Sequence, residues 1–194
     1  MFDTPADQAD GLRRVFRPRP PSVVAIGCGA PATDCRRYAA TVADRLERTG
    51  SVPTLVDRID APDPLGALAV APGIDRVLLL EEPVRLARWL DRRLATMLLL
   101  LSHQRDALPP HYATIKAISL GHGVRRFAVL FVDAPGLAEA TEAHDRLATC
   151  ARRFLGVEIL PMVQGAISLA AMTDASLARL PDFEIAIVPP PVVH

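Results

Sequence analysis

Lysine is almost absent from this chain of 194 residues, because Lys116 is the only one among 22 basic residues. The remaining basic residues are arginines, and 22 acidic residues bring the formal net charge to zero. A neutral protein lacks the excess positive charge that drives nonspecific binding to nucleic acid. We therefore expect no nucleic-acid partner, and any site that requires a lysine must use Lys116.

Long apolar runs are also missing from the sequence. Runs such as Met97 to Leu101 are far shorter than the roughly 20 residues that a membrane-spanning helix needs. The start of the chain, MFDTPAD, lacks the basic and apolar regions of a secretory signal peptide. These two absences predict a cytoplasmic protein.

Cysteine is scarce, with only Cys28, Cys35 and Cys150 in the chain. An odd number without C-x-x-C spacing is not the pattern of a disulfide framework or a zinc site, so we expect reduced thiols. Cys28 and Cys35 are close enough in sequence to be considered as a redox pair, but thiols without a basic environment are usually inert. The sequence therefore favours inert thiols at both positions.

Hydrophobic residues make up 50% of the chain and fall in short runs that alternate with helical patterns. Nearly continuous apolar strands suit a parallel sheet that is covered by helices on both faces. The sequence therefore predicts an α/β fold with an open, doubly wound, mostly parallel sheet. The predicted strands are 22–27, 52–57, 75–81, 96–102, 125–133 and 157–163, and the predicted helices are 34–49, 84–94, 109–119 and 136–154. The terminal stretch FEIAIVPPPVVH is either an edge strand or an unpacked tail.

A separate segment precedes the first predicted strand. Thr4 can cap a helix with Pro5 at its first position, and Ala9, Leu12 and Phe16 follow at helical spacing. The prolines after this helix cannot continue it and are typical of a stiff linker. We predict an N-terminal helix at 1–17, a proline-rich linker at 18–21 and an α/β domain at 22–194.

Three stretches of the sequence resemble one protein family. They are DQADGLR at 7–13, VVAIGCGAPATDCRRYAATVADRL at 23–46, and HYATIKAISLGHGVRRFAVLFVD at 111–133 with EAHDRLATCARRFLGVEILPMV after it. They are similar to the D-Q-A-x-x-L-R motif, the deviant Walker loop region and later elements of FlhG, also called YlxH or FleN. Members of that family are MinD/ParA-type P-loop ATPases that control flagellar number and placement. The resemblance implies a shortened MinD-like P-loop NTPase fold.

The family's phosphate-binding loop, K-G-G-V-G-K-T, corresponds to residues 30–36 here. Its two lysines correspond to Ala30 and Cys35, and its magnesium-binding hydroxyl corresponds to Arg36, while Gly29 lies just before the loop. A phosphate loop needs free backbone N–H groups, a lysine and a Ser or Thr hydroxyl. By the resemblance, this loop has lost the groups that bind phosphate and magnesium.

The family's acidic residues are also only partly present. Asp57 matches the first aspartate of its D-x-D motif, but Ile59 stands at the second, and Asp60 matches only after a register shift. Glu81 stands at the Walker B aspartate, and Val132 at the asparagine that reads adenine. The resemblance therefore implies a pseudo-ATPase with a vestigial nucleotide site, no catalytic residue, no metal, and neither ATP nor magnesium as a cofactor.

In the FlhG family the N-terminal helix docks on the GTPase FlhF and stimulates its GTP hydrolysis. The resemblance assigns partner binding to Asp7, Gln8, Ala9, Leu12 and Arg13. Flagellar switch or C-ring proteins are further candidate partners, and the pole or membrane is reached only through a partner. Homodimerisation stays open. The alternatives are a weakly active MinD/ParA-type ATPase and a MinD-like accessory of another polar or secretion system.

Other polar residues are candidates of a weaker kind. Ser102, His103 and Asp106 are close in sequence, yet no G-x-S-x-G motif accompanies them. His103 and His111 are expected to be surface histidines, since no metal-binding pattern surrounds them. Glu81 is followed directly by a second glutamate, which we interpret as a loop-capping pair or a Walker B relic.

Overall fold

Six strands of the chain pair in parallel into one open sheet. In the computed structural model, which describes residues 21–63, 70–90, 96–160 and 183–184, their order across the sheet is β2-β3-β1-β4-β5-β6. The strands are β1 (Ser22–Cys28), β2 (Pro53–Asp57), β3 (Arg76–Glu81), β4 (Met97–Leu101), β5 (Arg126–Phe131) and β6 (Glu158–Leu160). This sheet confirms the predicted α/β fold.

Four helices connect these strands within the described residues. They are α1 (Ala32–Arg48), α2 (Pro83–Leu90), α3 (Leu108–His122) and α4 (Leu137–Leu155). Each lies where the helical periodicity predicts it, with ends that differ from the prediction by a few residues. The last residues of the predicted second helix, 91–94, lie outside the described part of the chain. None of the described helices is long and apolar enough to cross a membrane.

Both faces of the sheet are covered, because alternate residues of each strand point to opposite sides. Val24 and Ile26 of β1 pack in a cluster with α1, whereas Val23 and Ala25 pack in a second cluster with α2, α3 and α4. The three central strands consequently have no polar face. This arrangement explains the nearly continuous apolar runs and confirms the prediction of helices on both faces.

The end of the chain contributes a short antiparallel strand, β7 (Phe183–Glu184), that pairs with the start of β1. Ser22 is opposite Glu184, and Val23 is opposite Phe183. The terminal stretch was predicted to be either an edge strand or an unpacked tail, and its first two residues form a strand. The residues after Glu184 lie outside the described part of the chain.

The strand order places a topological switch at β1. The chain passes from β1 to β2 and β3 on one side, then crosses to β4 and β5 on the other. In open α/β sheets, ligands bind beyond the carboxyl ends of the strands at such a switch. The carboxyl edge formed by the ends of β1, β2, β3, β4 and β5 is therefore the place to look for a site.

Candidate functional site

The loop after β1 is held down onto β4. The backbone N–H groups of Gly29 and Ala30 both donate to the carbonyl oxygen of Leu100, at 2.8 and 2.9 Å. Pro31, which follows, has no N–H group. A side chain at Gly29 would place its Cβ 2.8 Å from Leu101 Cδ2, so the end of the Leu101 side chain would have to move to make room for it. The first amides of this loop are thus used inside the fold and are not free for a phosphate group.

Arg36 joins the first helix to the end of β2. Its Nε donates to Asp57 Oδ2 at 2.6 Å, and its Nη2 donates to Asp60 Oδ2 at 2.5 Å. These hydrogen bonds, led by the one to Asp57, raise the pKa of the guanidinium above its ordinary value. The Arg36 side chain is 39% exposed, so solvent screens the attraction and the contacts chiefly fix geometry.

Asp57 is fully engaged by neighbours within the protein. While Oδ2 accepts from Arg36, Oδ1 accepts from the Ile59 backbone N–H at 3.1 Å. Partial burial would raise the pKa of Asp57, but the hydrogen bonds from Arg36 and Ile59 outweigh it and lower the pKa below its ordinary value. The aspartate that the sequence assigned to a vestigial nucleotide site is therefore ionised and paired with an arginine of α1.

Glu81 is fully buried at the end of β3. Its Oε1 accepts from the Glu82 backbone N–H at 2.9 Å, and its Oε2 lies 3.5 Å from Arg85 Nη2. The second distance suits an ion pair but is too long for a strong hydrogen bond, and among the described residues Oε2 has no hydrogen-bond partner. Arg85 also donates to the carbonyl oxygens of Ala61 and Asp63, at 2.6 and 2.5 Å. The arginine thus supplies the positive charge that a buried carboxylate requires.

Glu82 caps the second helix. Its two carboxylate oxygens accept from the backbone N–H groups of Val84 and Arg85, at 3.0 and 2.8 Å. These N–H groups belong to the first turn of α2, where no partner within the helix exists. The expectation of a capping role is confirmed for Glu82.

A second polar cluster lies where β4 and β5 end, and its centre is Asp133. Ser102 Oγ donates to Asp133 Oδ2 at 2.5 Å, while the His103 backbone N–H and His103 Nδ1 reach Oδ1 at 2.8 and 2.9 Å. The carboxylate that meets Ser102 and His103 is therefore Asp133, whereas Asp106 is in an exposed turn. The sequence analysis did not identify Asp133 as the partner of Ser102 and His103. All three residues follow predicted strands, and neighbouring parallel strands bring their carboxyl ends to the same edge of a sheet, so this signal was available.

The prediction that both histidines lie on the surface is wrong for His111. Its side chain is buried on the inner side of α3, and Nε2 accepts from the Ser102 backbone N–H at 3.1 Å. Nε2 also lies 3.2 Å from the Ser102 carbonyl oxygen. Burial lowers the pKa of His111 below its ordinary value against the opposing effect of the hydrogen bond with Ser102, which favours the neutral imidazole. His103 is only half-buried.

The Asp133 cluster is not arranged as a nucleophilic site. Ser102 donates to the carboxylate itself, while the imidazole of His103 binds the other oxygen, so within the described part of the chain the hydroxyl hydrogen bonds to a carboxylate and not to an imidazole. Burial would raise the pKa of Asp133, but the hydrogen bonds from Ser102 and His103 outweigh it and lower the pKa. A carboxylate of low pKa is a weak base. The cluster acts as a brace between the ends of β4 and β5.

Two cavities lie beside this brace, between α3 and α4. One has a volume of about 360 Å³ and an apolar lining that includes Tyr112, Leu147 and Phe154. The other, of about 220 Å³, is lined by His103 together with Glu139 and other charged residues. Neither contacts the residues that the resemblance assigns to nucleotide binding.

The five residues predicted to bind a partner, Asp7, Gln8, Ala9, Leu12 and Arg13, lie outside the described residues. The predicted helix at 1–17 lies outside them too, as does the linker apart from Pro21. Within the described part of the chain, no group of three or more His, Cys, Asp or Glu side chains is placed to hold a metal ion.

No protein-family model matches the chain, and none of the curated proteins is significantly similar to it in sequence.

Replacement of Arg36 by alanine should raise the pKa of Asp57, because the carboxylate loses its main stabilising partner. A carboxylate whose pKa is lower in the folded state stabilises the fold above its unfolded pKa and loses this effect as pH falls through the folded value. The stability advantage of the wild type over Arg36→Ala should therefore shrink as pH falls below 3.8, the ordinary value for Asp57. NMR titration of the Asp57 carboxyl and urea denaturation at several pH values measure both effects.

Arg37→Ala is the matched control, since Arg37 donates to Asp34 at 2.6 Å and not to Asp57. It should leave the Asp57 titration unchanged. An identical Asp57 titration in the wild type and in Arg36→Ala would contradict the assignment.

Asp133→Ala should destabilise the fold by about 1–3 kcal/mol, because it leaves the buried Ser102 hydroxyl and the His103 N–H without their acceptor. The matched control is Asp106→Ala, in the exposed turn, where we expect a change within about 0.5 kcal/mol. Urea denaturation measures both. Equal stabilities for the two variants would show that the cluster braces nothing.

Proposed function

We propose that this protein is a regulator of flagellar number, placement and assembly that binds an FlhF-type GTPase and stimulates its GTP hydrolysis. The carrier of this activity is the DQADGLR segment, Asp7 to Arg13. The α/β domain behind it is a pseudo-ATPase that presents the segment. Contacts with flagellar switch or C-ring proteins, and recruitment from the cytoplasm to the cell pole through partners, belong to the same proposal.

The single observation that carries the proposal is the match of DQADGLR to the family motif D-Q-A-x-x-L-R at every fixed position. In this assignment Gln8 helps to position the GTPase chemistry, Asp7 and Arg13 make charged contacts, and Ala9 and Leu12 face the partner. Gly11, at a variable position, costs a helix about 1 kcal/mol relative to alanine. We propose that the segment becomes fully helical when it binds in a groove of the partner.

Contacts at the carboxyl edge of the sheet support the proposal that the protein has no ATPase activity. Arg36 stands where the family has its magnesium-binding hydroxyl, and its guanidinium bridges Asp57 and Asp60. The guanidinium of Arg36 therefore occupies the Asp57 carboxylate, which a bound metal ion would need as a ligand. The chain's only lysine, Lys116, belongs to α3, so the loop after β1 has no lysine for phosphate.

Gln8→Ala should lower the stimulation of FlhF GTPase at least about tenfold, which corresponds to about 1.4 kcal/mol of transition-state free energy. The reason is that a polar group positioned at the reaction is removed while the helix is retained. Asp10→Ala changes a variable position of the same helix and should stimulate like the wild type. GTP turnover by FlhF, measured with each full-length variant, tests the expectation.

A chain that lacks residues 1–17 should not stimulate FlhF at all. Its circular dichroism and thermal unfolding serve as the control for an intact α/β domain. Stimulation by this truncated chain at the wild-type level would rule out the proposal.

A weakly active MinD/ParA-type ATPase is the alternative from a different functional class. Titration with a fluorescent ATP analogue and magnesium separates the two, and we expect no saturable binding by the wild type. Arg36→Ser restores a hydroxyl and frees Asp57, yet it should still not bind, because Ala30 and Cys35 provide no lysine. An active P-loop ATPase in the same assay shows that the analogue is competent, and saturable binding by the wild type would favour the alternative.

A MinD-like accessory of another polar or secretion system is the third candidate. Affinity capture from cells distinguishes it, since recovery of FlhF or flagellar switch proteins supports the flagellar role and recovery of another machine supports this candidate.

A further inference from the structure

The larger of the two cavities forms a cleft between α3 and α4 that is lined mainly by apolar side chains. Its volume of about 360 Å³ lies in the lower part of the range of roughly 300 to 1,000 Å³ that is usual for small-molecule sites. Leu108 and Tyr112 line it from α3, and Leu147, Cys150 and Phe154 line it from α4. The three residues of α4 follow one another at i, i+3 and i+7, so they lie along one side of that helix.

The wall that α4 contributes is open to solvent. The Phe154 side chain is 65% exposed, and Cys150 is exposed one turn before it. Water is thus in contact with an aromatic ring on the wall of a cavity. The hydrophobic effect favours a ligand whose apolar body displaces that water and covers the ring.

The charged groups of the lining are cations. Arg105 and Arg146 line the cleft, and among the described residues no carboxylate side chain lines it with them. The guanidinium of Arg153 adds a further positive charge beside the cleft, 5.3 Å from the centroid of the Phe154 ring. The charge of the cleft therefore complements an anion.

The two lining arginines mark the polar end of the cleft. Both also line the neighbouring cavity of about 220 Å³, which contains the carboxylate of Glu142. Arg105 Nη2 lies 3.5 Å from Glu142 Oε1, and Arg146 Nη2 contacts the same oxygen. Two guanidiniums thus share one carboxylate, which leaves one positive charge in excess.

The contact of Arg105 with Glu142 leaves room for a second anion. The Arg105 side chain is 80% exposed and that of Glu142 is 55% exposed, so solvent screens their attraction. A guanidinium has five N–H donors in a planar fork that suits a carboxylate. A single contact of 3.5 Å with Glu142 therefore does not use up the donors of Arg105.

We propose that the cleft between α3 and α4 binds a small, free monocarboxylate with an apolar body, of the medium-chain fatty acid type. Its carboxylate lies against Arg105 and Arg146, and its chain lies against Tyr112 and Phe154. The volume of the cleft selects a small molecule, the lining selects an apolar body, and the excess positive charge selects a single anionic group. This site does not include the DQADGLR segment and is independent of the proposed role in GTPase regulation.

Cys150 reports occupancy at the site itself, because it is an exposed thiol on the wall of the cleft. The full-length, reduced protein is labelled briefly with N-ethylmaleimide at increasing concentrations of octanoate. Mass spectrometry of the tryptic peptide Leu147 to Arg152 gives the rate of labelling at Cys150. At about ten times its dissociation constant, octanoate leaves roughly a tenth of the clefts free, so labelling should slow about tenfold. Cys35, which is completely buried, should stay unlabelled and shows that the protein remains folded.

Octanol and octylammonium have the same carbon chain and test whether charge is recognised. Octanol lacks the carboxylate that the arginines bind, so it should need at least about tenfold more ligand for the same protection of Cys150. Octylammonium carries the wrong charge for Arg105 and Arg146 and should give no protection.

Two variants at exposed positions locate the two parts of the ligand. Arg105→Gln should weaken the protection by octanoate about tenfold, since one charge-assisted hydrogen bond is lost, and should leave that by octanol unchanged. Arg48→Gln makes the same change of charge at an exposed position of α1, on the opposite face of the sheet, and should behave like the wild type. Phe154→Ala removes the aromatic ring from the wall and should weaken octanoate and octanol alike.

Three outcomes would overturn the proposal. One is a lack of protection of Cys150 at every octanoate concentration that leaves Cys35 unlabelled. Another is equal protection by octanoate, octanol and octylammonium, since the arginines would then not recognise the ligand. The third is protection by octanoate that is the same in Arg105→Gln, in Phe154→Ala and in the wild type, which would place the bound molecule outside the cleft.

Discussion

Strand β1 is paired with β3 along nearly its whole length and with β4 at its carboxyl end, and it is buried on both faces. Most of the described structure is organised around this strand. Val24 and Ile26 hold α1 on one face, and Val23 and Ala25 hold the other helices on the opposite face. Burial of one such aliphatic side chain contributes about 1.5–3 kcal/mol. Because β1 cannot move without disturbing both clusters, the loop that follows it starts from a fixed position.

The polar chemistry of the carboxyl edge follows from that fixed position. The loop closes onto Leu100 of β4, and Arg36, near the start of α1, contacts Asp57 at the end of β2. Each carboxylate at this edge has a partner inside the protein: Arg36 for Asp57, Arg85 for Glu81, and the Ser102 hydroxyl with His103 for Asp133. The charges at this edge are therefore directed at neighbouring groups of the protein.

Much of this arrangement was accessible to sequence reasoning, and the failures have definite causes. The apolar runs predicted the parallel sheet because a strand buried on both faces has no polar face to show. The surface prediction for His111 was wrong because periodicity within α3 does not reveal which carbonyl and amide groups lie beneath it. Asp133 was missed as the partner of Ser102 and His103 because it is distant in sequence and becomes a neighbour only through the pairing of β4 with β5.

The sequence by itself determined the order of strands and helices, the absence of any lysine from the loop after β1, and the presence of the DQADGLR segment. These are properties of local composition and spacing, which the chain carries before it folds. Only the tertiary structure decided that Arg36 bridges Asp57 and Asp60 and that Asp133 joins two strand ends. Such contacts depend on distances of a few ångströms between residues far apart in sequence, and the packing of strands and helices fixes those distances.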